Sequence, residues 1–558
     1  MGNKLKVKIM GISCAHRRGR NTSWLTLFAL KAAEKFGRRI AEIADIETTF
    51  IDLCDFRKKQ ISPVAICKKR NGYYESSVED YTTNELMSQM SEADGFVFGS
   101  PVYTGAPTSR FITLIEHLRA GVKNGCFTDK PMGGVSVATM STGGQDRCLE
   151  YMEDCTRSLG MIPVHALFGC AGVSGVPYGP LVGDDDGTII SCKNDRFAQW
   201  SAILTGRRVA EVAVIQKMAK RRLGSKLYDS EFIQRYHLPF CNESWAWTDL
   251  DREDQDFMLN LDDSKISALD QTILAKPPVI GEGGVKCKIL GLGCDDYKGI
   301  DTNWLVINSL KAIEKFGRKI APIGSFETEF INLTDKDIKP CLSCDHYNDI
   351  PNGGHRWIGS DYPDHDSFGC IQKKDYFTKE FLPKWAEADG VIFGSSVCAF
   401  APSVTFRLLN ERLVAGIWKG YNNLKPSTSI AVSYDKEKGQ EACLNVMNTI
   451  NRWYESIPVS WPHGTTAQGG SLDLQQVVVK DDTEACALSV INARRLAEFA
   501  LQYKLAKEEL GDLYKKEFYQ VVHPPHGDAP WEWSRIDKED EEYMMKLDPK
   551  SLAKLNQL

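Results

Sequence analysis

Residues 5–30 read LKVKIMGISCAHRRGRNTSWLTLFAL, and the order of residue types in this stretch decides the fold. An apolar, β-rich run from Lys6 to Ile12 is followed by a polar loop that contains glycine. A helical pattern then begins at about Thr22. A strand, a loop and a helix N-terminus in this order are the opening of a βαβ unit.

The same stretch returns in the second half of the chain. KIMGISCAHRRGRNTSWLTL matches KILGLGCDDYKGIDTNWLVI 280 residues later, so that Trp24 corresponds to Trp304. EADGFVFGSPVYTGAP from Glu92 likewise matches EADGVIFGSSVCAFAP from Glu387. A repeat of this length predicts a tandem duplication of two whole domains, not a solenoid of small units.

Strand patterns alternate with helical patterns along each half. The predicted strands are Lys6–Ile12, Thr49–Leu53, Gly95–Phe98, Gly134–Ala138 and Val285–Leu292, and the predicted helices begin at about Thr22 and Thr302 or cover Tyr81–Ser91 and Pro107–Ala120. This alternation predicts an α/β fold with a doubly wound parallel sheet in each half. We expect a first domain over residues 1–270, a linker over 271–284 and a second domain over 285–558.

The composition is that of an ordinary soluble globular protein. The chain has 558 residues, of which 42% are hydrophobic and 25% charged, with a net charge of −6. This charge gives no electrostatic footprint for nucleic acid. The N-terminus lacks the pattern of a signal peptide and no apolar run approaches the ~20 residues of a membrane helix, so a cytoplasmic location is expected. The 17 cysteines are then expected to be reduced thiols, and ligation of a metal or cluster by some of them is left open.

Three loops at the carboxyl ends of predicted strands carry candidate ligand-binding residues, because parallel sheets bind ligands at that edge. The first, SCAHRRGRNT from Ser13, offers hydroxyls, guanidinium groups and backbone N–H groups for a phosphate. Taken alone, it fits a capped helix with solvated arginines equally well. The second, GSPVYTGAP from Gly99, is rigid and suits a flat ring, and the third, STGGQ from Ser141, permits close backbone approach.

Together these loops resemble the flavodoxin-like NAD(P)H-dependent FMN reductases, near the branch that includes the iron–sulfur flavoproteins. The resemblance covers most of residues 6–165. It implies that the first loop binds the phosphate of FMN and that the other two hold the isoalloxazine ring. The implied phosphate ligands are Ser13, Arg18, Arg20, Asn21, Thr22 and Ser23. The loop is about three residues longer than in the family, which leaves open whether Arg17, Arg18 or Arg20 reaches the phosphate. The implied ring-binding residues are Pro101, Val102, Tyr103, Thr104, Gly105, Ser141, Thr142, Gly143 and Gly144, with Tyr103 as the catalytic residue.

The second half departs from this pattern at the corresponding loops. Phe400 stands where the first half has Gly105, and Asp295, Asp296 and Asp301 lie in its first loop. An aromatic side chain there fills space that a ring needs, and the carboxylates repel a phosphate. We therefore expect FMN in the first half alone.

A cysteine cluster distinguishes the second half. Cys341 and Cys344 form a Cys-x-x-Cys pair, and Cys370 follows a stretch that holds three histidines. In the resembled branch some members bind an iron–sulfur cluster at this place, while others bind no metal. Three thiolates with a histidine would also satisfy zinc, and reduced surface thiols are a further interpretation.

Each half ends in an arm that contains two tryptophans, Trp245 and Trp247 in the first and Trp531 and Trp533 in the second. The resembled enzymes are usually homodimers, so the fused halves are expected to form an internal pseudo-dimer in which each arm can clasp the other domain. Further homo-oligomerisation is left open.

The resemblance predicts an FMN-dependent oxidoreductase that uses NAD(P)H to reduce a small acceptor, such as a quinone, a flavin or an unsaturated carbonyl compound. The alternative is a flavin electron-transfer protein, with or without an iron–sulfur cluster, that serves a redox protein partner. A third interpretation makes the second half a scaffold only.

Overall fold

A computed structural model describes the chain in segments. The described residues are 4–54, 67–70, 73–76, 85–122, 125–139, 143–164, 170–173, 190–232, 249–274, 284–295, 300–321, 323–341, 372, 374–417, 421–434, 439–453, 455–461, 463–469, 477–518 and 535–555.

Sixteen strands and fifteen α-helices lie in these segments. The strands are β1 (Leu5–Ser13), β2 (Ala44–Asp52), β3 (Cys67–Arg70), β4 (Tyr73–Ser76), β5 (Gly95–Pro101), β6 (Pro131–Ala138), β7 (Ile162–Pro163), β8 (Cys170–Val173), β9 (Thr272–Ile273), β10 (Val285–Gly293), β11 (Gly324–Asn332), β12 (Gly390–Cys398), β13 (Ala401–Pro402), β14 (Pro426–Ser433), β15 (Ile457–Pro458) and β16 (Thr465–Gln468). The helices are α1 (Asn21–Arg39), α2 (Met87–Glu92), α3 (Ser109–Val122), α4 (Gln145–Ser158), α5 (Arg196–Leu223), α6 (Ser225–Glu231), α7 (Arg252–Leu259), α8 (Asp263–Ala268), α9 (Ile300–Lys319), α10 (Leu382–Glu387), α11 (Val404–Ile417), α12 (Gln440–Trp453), α13 (Thr483–Leu510), α14 (Lys538–Lys546) and α15 (Pro549–Lys554).

The described residues divide into two compact units. The first unit contains the described residues up to Met218 and those from 535 to 555, and the second contains 219–232 and those from 249 to 518. The predicted boundaries are therefore wrong for the two arms. The end of the chain belongs to the first unit, and α7 and α8 belong to the second.

The first unit is built on a six-stranded sheet with the order β2-β1-β5-β6-β7, in which β8 also pairs with β6. Every pairing in it is parallel. β7 has two residues and β8 has four, and both pair with β6. If these two strands are counted together as the last position, the sheet has the flavodoxin-like order 2-1-3-4-5. The first part of the chain therefore has the predicted flavodoxin-like α/β fold.

The predicted strands of the first sheet exist, and their bounds differ for physical reasons. β2 begins five residues before the predicted Thr49, because its exposed side chains alternate with half-buried ones and hide the apolar pattern. β6 begins at Pro131, before two consecutive glycines that weaken a hydrophobic signal. The predicted helix Tyr81–Ser91 is described only as α2, since residues 77–84 lie outside the described segments.

The second unit has an eight-stranded sheet with the order β15-β14-β12-β10-β11-β9. Its parallel strands β11, β10, β12 and β14 follow the same order as β2, β1, β5 and β6, and β16 pairs with β14. The edge strand β9 is antiparallel, with Phe330 opposite Thr272. Part of the predicted linker 271–284 is therefore a strand of the second sheet.

Each unit has a separate apolar core between its sheet and helices. In the first unit Phe96, Phe98 and Phe111 are fully buried and form a chain of ring contacts. In the second unit Trp385 and Phe393 occupy the corresponding layer. These cores fix the strand ends, from which the candidate site is built. Within the described segments, no helix is long and apolar enough to cross a bilayer.

Candidate functional site

The first loop of the first unit connects β1 to α1. The backbone N–H of Cys14 donates to the carbonyl of Gly99 at 2.7 Å, which continues the sheet one residue beyond β1. Arg20 is the N-cap residue of α1 and has an extended backbone conformation, but its side chain accepts no hydrogen bond from the N–H groups of the helix. The first turn of α1 also has no acidic residue. This helix end therefore offers backbone N–H groups and a positive dipole end to an anion.

A buried carboxylate at the end of β2 holds this loop in place. Asp52 Oδ2 accepts the Ser23 hydroxyl at 2.8 Å and the Gly19 N–H at 3.2 Å, while Oδ1 accepts the Cys54 N–H at 3.0 Å. Burial raises the pKa of the Asp52 carboxyl, and these hydrogen bonds oppose the rise. The sequence analysis missed Asp52, although its place at the end of a predicted strand is a usable signal.

The predicted phosphate ligands divide by what their side chains do. Ser13 and Ser23 are buried, and their hydroxyl oxygens are 2.9 Å apart. The side-chain oxygen of Asn21 accepts the N–H of Cys192 at 2.9 Å, so Asn21 fixes the turn at 191–194. Thr22 is also buried.

Arg18 and Arg20 are half-buried, whereas Arg17 is exposed. The structure therefore brings all six predicted phosphate ligands to the start of α1, where Asn21 has a positioning role that the sequence analysis did not foresee.

The second loop is a tight two-residue turn at the end of β5. Tyr103 and Ala106 exchange two backbone hydrogen bonds, of 2.9 and 3.0 Å. Between them Thr104 and Gly105 have φ of 51° and 79°. Positive φ at both central residues is the type I′ geometry, which costs a non-glycine residue such as Thr104 about 1–2 kcal/mol. Tyr103 is 48% exposed, so its ring is available to a ligand.

The third loop touches the second. Gly144 precedes α4 with φ of 90°, and a Cβ built on it would lie 3.2 Å from the Gly105 Cα. A Cβ built on Gly105 instead meets no described atom within 4 Å. Gly143 donates its N–H to the Gln145 side chain at 2.9 Å. Glycine is therefore required at 144 by contact and conformation together, and the face of Gly105 is open. Ser141 and Thr142 lie outside the described residues.

A histidine that the sequence analysis did not select stands beside Tyr103. The rings of His16 and Tyr103 meet edge to face, with centroids 5.2 Å apart. Arg110 Nε donates to His16 Nδ1 at 3.1 Å, and Arg110 also donates to the Leu53 carbonyl at 2.6 Å. With Nδ1 as acceptor, the neutral imidazole carries its proton on Nε2. Burial first, and then the positive charge of Arg110, lower the pKa of His16, so the neutral form is favoured.

The first loop of the second unit is occupied by carboxylates. Asp295 is buried and accepts the backbone N–H of Ser396 at 2.6 Å, where the first unit has Pro101, which has no N–H. Asp301 is buried as well and accepts the N–H groups of Val478 and Val479 at 2.7 and 3.0 Å. Asp296 lies outside the described residues.

The second unit keeps the tight turn without its glycine. Ala399 and Phe400 have φ of 49° and 62°, so both central positions hold non-glycine residues in the left-handed region. A Cβ built on Gly439 would lie 2.4 Å from Phe400 Cδ1, so the aromatic ring covers that glycine. Phe400 is 64% exposed. The turn geometry is therefore shared by the two units, but its open face is not.

Of the predicted metal ligands only Cys341 is described, as a half-buried free thiol. Cys344 and Cys370 lie outside the described residues. Among the residues that are described, no group of three histidine, cysteine or acidic side chains is arranged to hold a metal ion.

Comparisons with known proteins show which proteins this chain is similar to. Residues 7–172 match the family described as NADPH-dependent FMN reductase. The chain is 30% identical over 214 residues to an iron–sulfur flavoprotein of Methanocaldococcus jannaschii, which covers 38% of this chain and 100% of the relative. It is 27% identical over 161 residues to an iron–sulfur flavoprotein of Methanosarcina thermophila, which covers 28% of this chain and 77% of the relative.

A solved structure, the flavodoxin, WrbA-like protein from Agrobacterium tumefaciens, aligns with 17% identity and a TM-score of 0.24. That alignment covers 37% of this chain and 97% of the solved one. The match along the whole length of the M. jannaschii protein identifies this chain as a member of the FMN reductase family, among the iron–sulfur flavoproteins.

Proposed function

We propose that the first unit binds one FMN and uses NAD(P)H to reduce a small acceptor. The observation that carries this proposal is the pair of touching loops, in which Gly144 lies against Gly105 while the outer face of Gly105 is open. We propose that the flat ring lies between Tyr103 and this face. On this proposal Arg18, Arg20 and the start of α1 bind the phosphate.

The ring is proposed to be held by two adjacent loops. Its ligands are the backbone and side chains of Pro101, Val102, Tyr103, Thr104, Gly105, Gly143 and Gly144, together with the predicted Ser141 and Thr142.

When bound, FMN supplies the hydride chemistry, taking a hydride from NAD(P)H and passing reducing equivalents to the acceptor. The protein then has to orient the ring and control access to it. Tyr103 is exposed on a turn that two backbone hydrogen bonds hold rigid, so it limits which acceptors reach the ring. His16 presents an Nε2–H beside Tyr103, and Arg110 maintains this tautomer. That N–H can donate a hydrogen bond to the ring or to a carbonyl oxygen of the acceptor.

The acceptors that suit this chemistry are quinones, free flavins and unsaturated carbonyl compounds. The product of such a reduction can take its proton from water, so the function does not require His16 to act as an acid. A cytoplasmic location, which supplies NAD(P)H, remains part of the proposal.

We infer that the second unit has lost the flavin site. Asp295 is buried at the position of the phosphate loop, and its carboxylate is bound to a backbone N–H of the neighbouring loop. A phosphate placed there would meet the like charge of this carboxylate in a poorly solvated site. Phe400 adds a side chain where the first unit has hydrogen.

We further infer that the two units arose by tandem duplication. This rests on the sequence repeat and on the shared order of β2, β1, β5, β6 with β11, β10, β12, β14. The internal pseudo-dimer remains a proposal.

The alternative function is electron transfer to a redox protein partner. Two relatives bear the name iron–sulfur flavoprotein, and Cys341, Cys344 and Cys370 are the residues of this chain that would hold a cluster or zinc. On this alternative the second half serves the flavin of the first as an electron donor or acceptor.

One set of measurements separates these proposals. Flavin, iron and zinc are counted per chain in the purified protein, and NAD(P)H oxidation is followed with a benzoquinone as acceptor. One FMN per chain with rapid turnover and no metal supports the reductase. One FMN with iron and slow turnover supports electron transfer. Two FMN per chain would refute the loss of the second site, and failure to bind FMN after reconstitution would refute the whole proposal.

A further inference from the structure

We propose that the C-terminal segment Arg535–Leu555, called here the C-terminal arm, is a part of the phosphate site of the first unit. The arm would then select phosphorylated flavin over riboflavin. This inference rests on the proposed function.

The arm is fastened along α1, the helix whose N-terminus forms the phosphate site. Trp24 Nε1 donates to the carbonyl of Met544 at 2.9 Å, and Lys35 Nζ donates to the carbonyl of Arg535 at 2.8 Å. Arg38 pairs with Asp537 at 2.7 Å and with a second carboxylate of the arm. Since Trp24 is fully buried, its hydrogen bond to the arm is shielded from water.

The far end of the arm reaches the phosphate loop itself. A Cβ built on Gly19 would lie 2.4 Å from the carbonyl oxygen of Pro549 and 2.9 Å from the backbone N of Ala553. The loop backbone at Gly19 therefore packs directly on α15. Lys193 also binds the arm just before α15, because its Nζ donates hydrogen bonds to the carbonyls of Met545 and Leu547 at 2.7 and 2.5 Å.

The other arm of the chain is fastened to the second unit in the same way. Trp304 donates to Met258, Lys315 to Asp249, and Arg318 to Asp251 and Asp254, which are the counterparts of the bonds made by Trp24, Lys35 and Arg38. Both arms therefore make the same hydrogen bonds and ion pairs to their helices. A difference in charge between the ends of the arms does not arise from these bonds.

The ends of the arms differ in charge. Aligned through these bonds, Lys546, Lys550 and Lys554 of the C-terminal arm correspond to Asn260, Ser264 and Ala268 of the other arm. The three lysines are exposed, and Lys550 and Lys554, which are four residues apart in α15, lie on the same side of that helix.

The first loops of the two units also differ in charge. The loop that packs on α15 holds Arg17, Arg18 and Arg20, whereas the first loop of the second unit holds Asp295 and Asp301. Pro549 and Ala553 lie against Gly19, and each is followed directly in the sequence by one of these lysines, Lys550 and Lys554. We therefore place the lysine charges beside the proposed phosphate, and the corresponding positions of the other arm carry no lysine.

The test uses two sets of variants in the full chain. K550Q/K554Q removes charge from the exposed side of α15 without touching a buried residue. R38Q/K193Q weakens the fastening, and R318Q is the matched control in the second unit. Dissociation constants for FMN and riboflavin are measured by flavin fluorescence at low and high salt.

We expect K550Q/K554Q to weaken FMN binding roughly three- to tenfold at low salt, with a smaller effect at high salt, and to leave riboflavin unchanged. R38Q/K193Q should weaken FMN binding as well, and R318Q should not. Equal FMN affinity in wild type and both variants would overturn the inference while leaving the proposed function intact. A wild-type chain that binds no FMN would instead overturn the function.

Hydrogen exchange gives a second measurement that does not depend on variants. FMN should slow exchange in residues 538–555 more than riboflavin does, and neither should slow it in residues 252–268. Equal protection of the two arms, or none in the C-terminal arm, would contradict the proposed role.

Discussion

Replacing Gly105 with phenylalanine gives the first turn the residue that the second turn carries naturally. Phe400 shows that this chain can hold a phenylalanine in such a turn, at φ of 62°. A Cβ at Gly105 meets no described atom within 4 Å, so the first carbon of the new side chain enters open space. The unliganded fold should therefore accept the substitution, with a cost of about 1–2 kcal/mol for a non-glycine residue at positive φ.

The same substitution should nearly abolish flavin binding, because the aromatic ring takes the place proposed for the isoalloxazine. Stacking of a flat ring in such a site contributes about 1–3 kcal/mol, so its loss weakens FMN binding roughly 5- to 150-fold. Steric exclusion adds to this, and we expect G105F at or beyond the upper end. Fluorescence titration gives the dissociation constant, and thermal unfolding gives the stability.

Alanine at the same position separates strain from occlusion. G105A carries the same positive-φ cost but adds only a methyl group, so it should lose similar stability and keep FMN affinity within a few-fold. The reasoning would be refuted if G105F bound FMN as wild type does, or if G105A weakened binding as much as G105F.

Three further predictions concern charged groups. D52N puts an amide where the Asp52 carboxylate accepts three hydrogen bonds. The substitution should lower the free energy of unfolding by about 1–3 kcal/mol and weaken FMN binding. An unchanged urea unfolding curve would contradict this prediction. The pKa of His16 is lower in the folded chain than in the unfolded chain, so as the pH falls the unfolded chain takes up the proton at a higher pH. Protonation of His16 therefore lowers the free energy of unfolding as the pH falls below about 6.5. R110Q should raise the His16 pKa in an NMR titration but should not restore its ordinary value, because burial is the larger cause of the shift. In the second unit burial acts to raise the pKa of Asp375, but the hydrogen bonds that Arg412 donates to its carboxylate lower it, and the pKa is lowered overall. This ion pair therefore stabilises the fold fully above about pH 4, the pKa of an aspartate in the unfolded chain, and the stabilisation is lost as the pH falls through the lower pKa of Asp375 in the folded chain. R412M should therefore destabilise the second unit by about 3–5 kcal/mol at pH 7 and by less at pH 3, leaving FMN binding unchanged.

The sheet of the first unit could be predicted because its central strands are apolar and are followed by glycine-containing loops. β1 and β5 carry this signal most clearly, and the structure extends the predicted bounds by no more than three residues at either end. Edge strands could not be bounded in this way. β2 is partly exposed, and β7 has only two residues, so neither presents a complete pattern.

The site could be predicted where chemistry is local in sequence and not where it depends on distant residues. The loops that contain Arg18, Tyr103 and Gly144 were evident as segments. Asp52 and Arg110 act through hydrogen bonds to residues 33 and 94 positions away, and no spacing reveals such partners. The domain boundary was wrong for a related reason. An amphipathic segment such as α14 shows that it will pack against something, but its own residues do not identify the surface.

The placement of the C-terminal arm has a consequence for synthesis on the ribosome. The first unit includes residues 535–555, yet residues 219–534 are made in between. At about 5–20 residues per second, that interval is of the order of 15 to 60 s. Throughout it, α1 exposes the surface around Trp24 on which the arm later packs. The first unit therefore becomes complete only after the whole of the second unit has been translated.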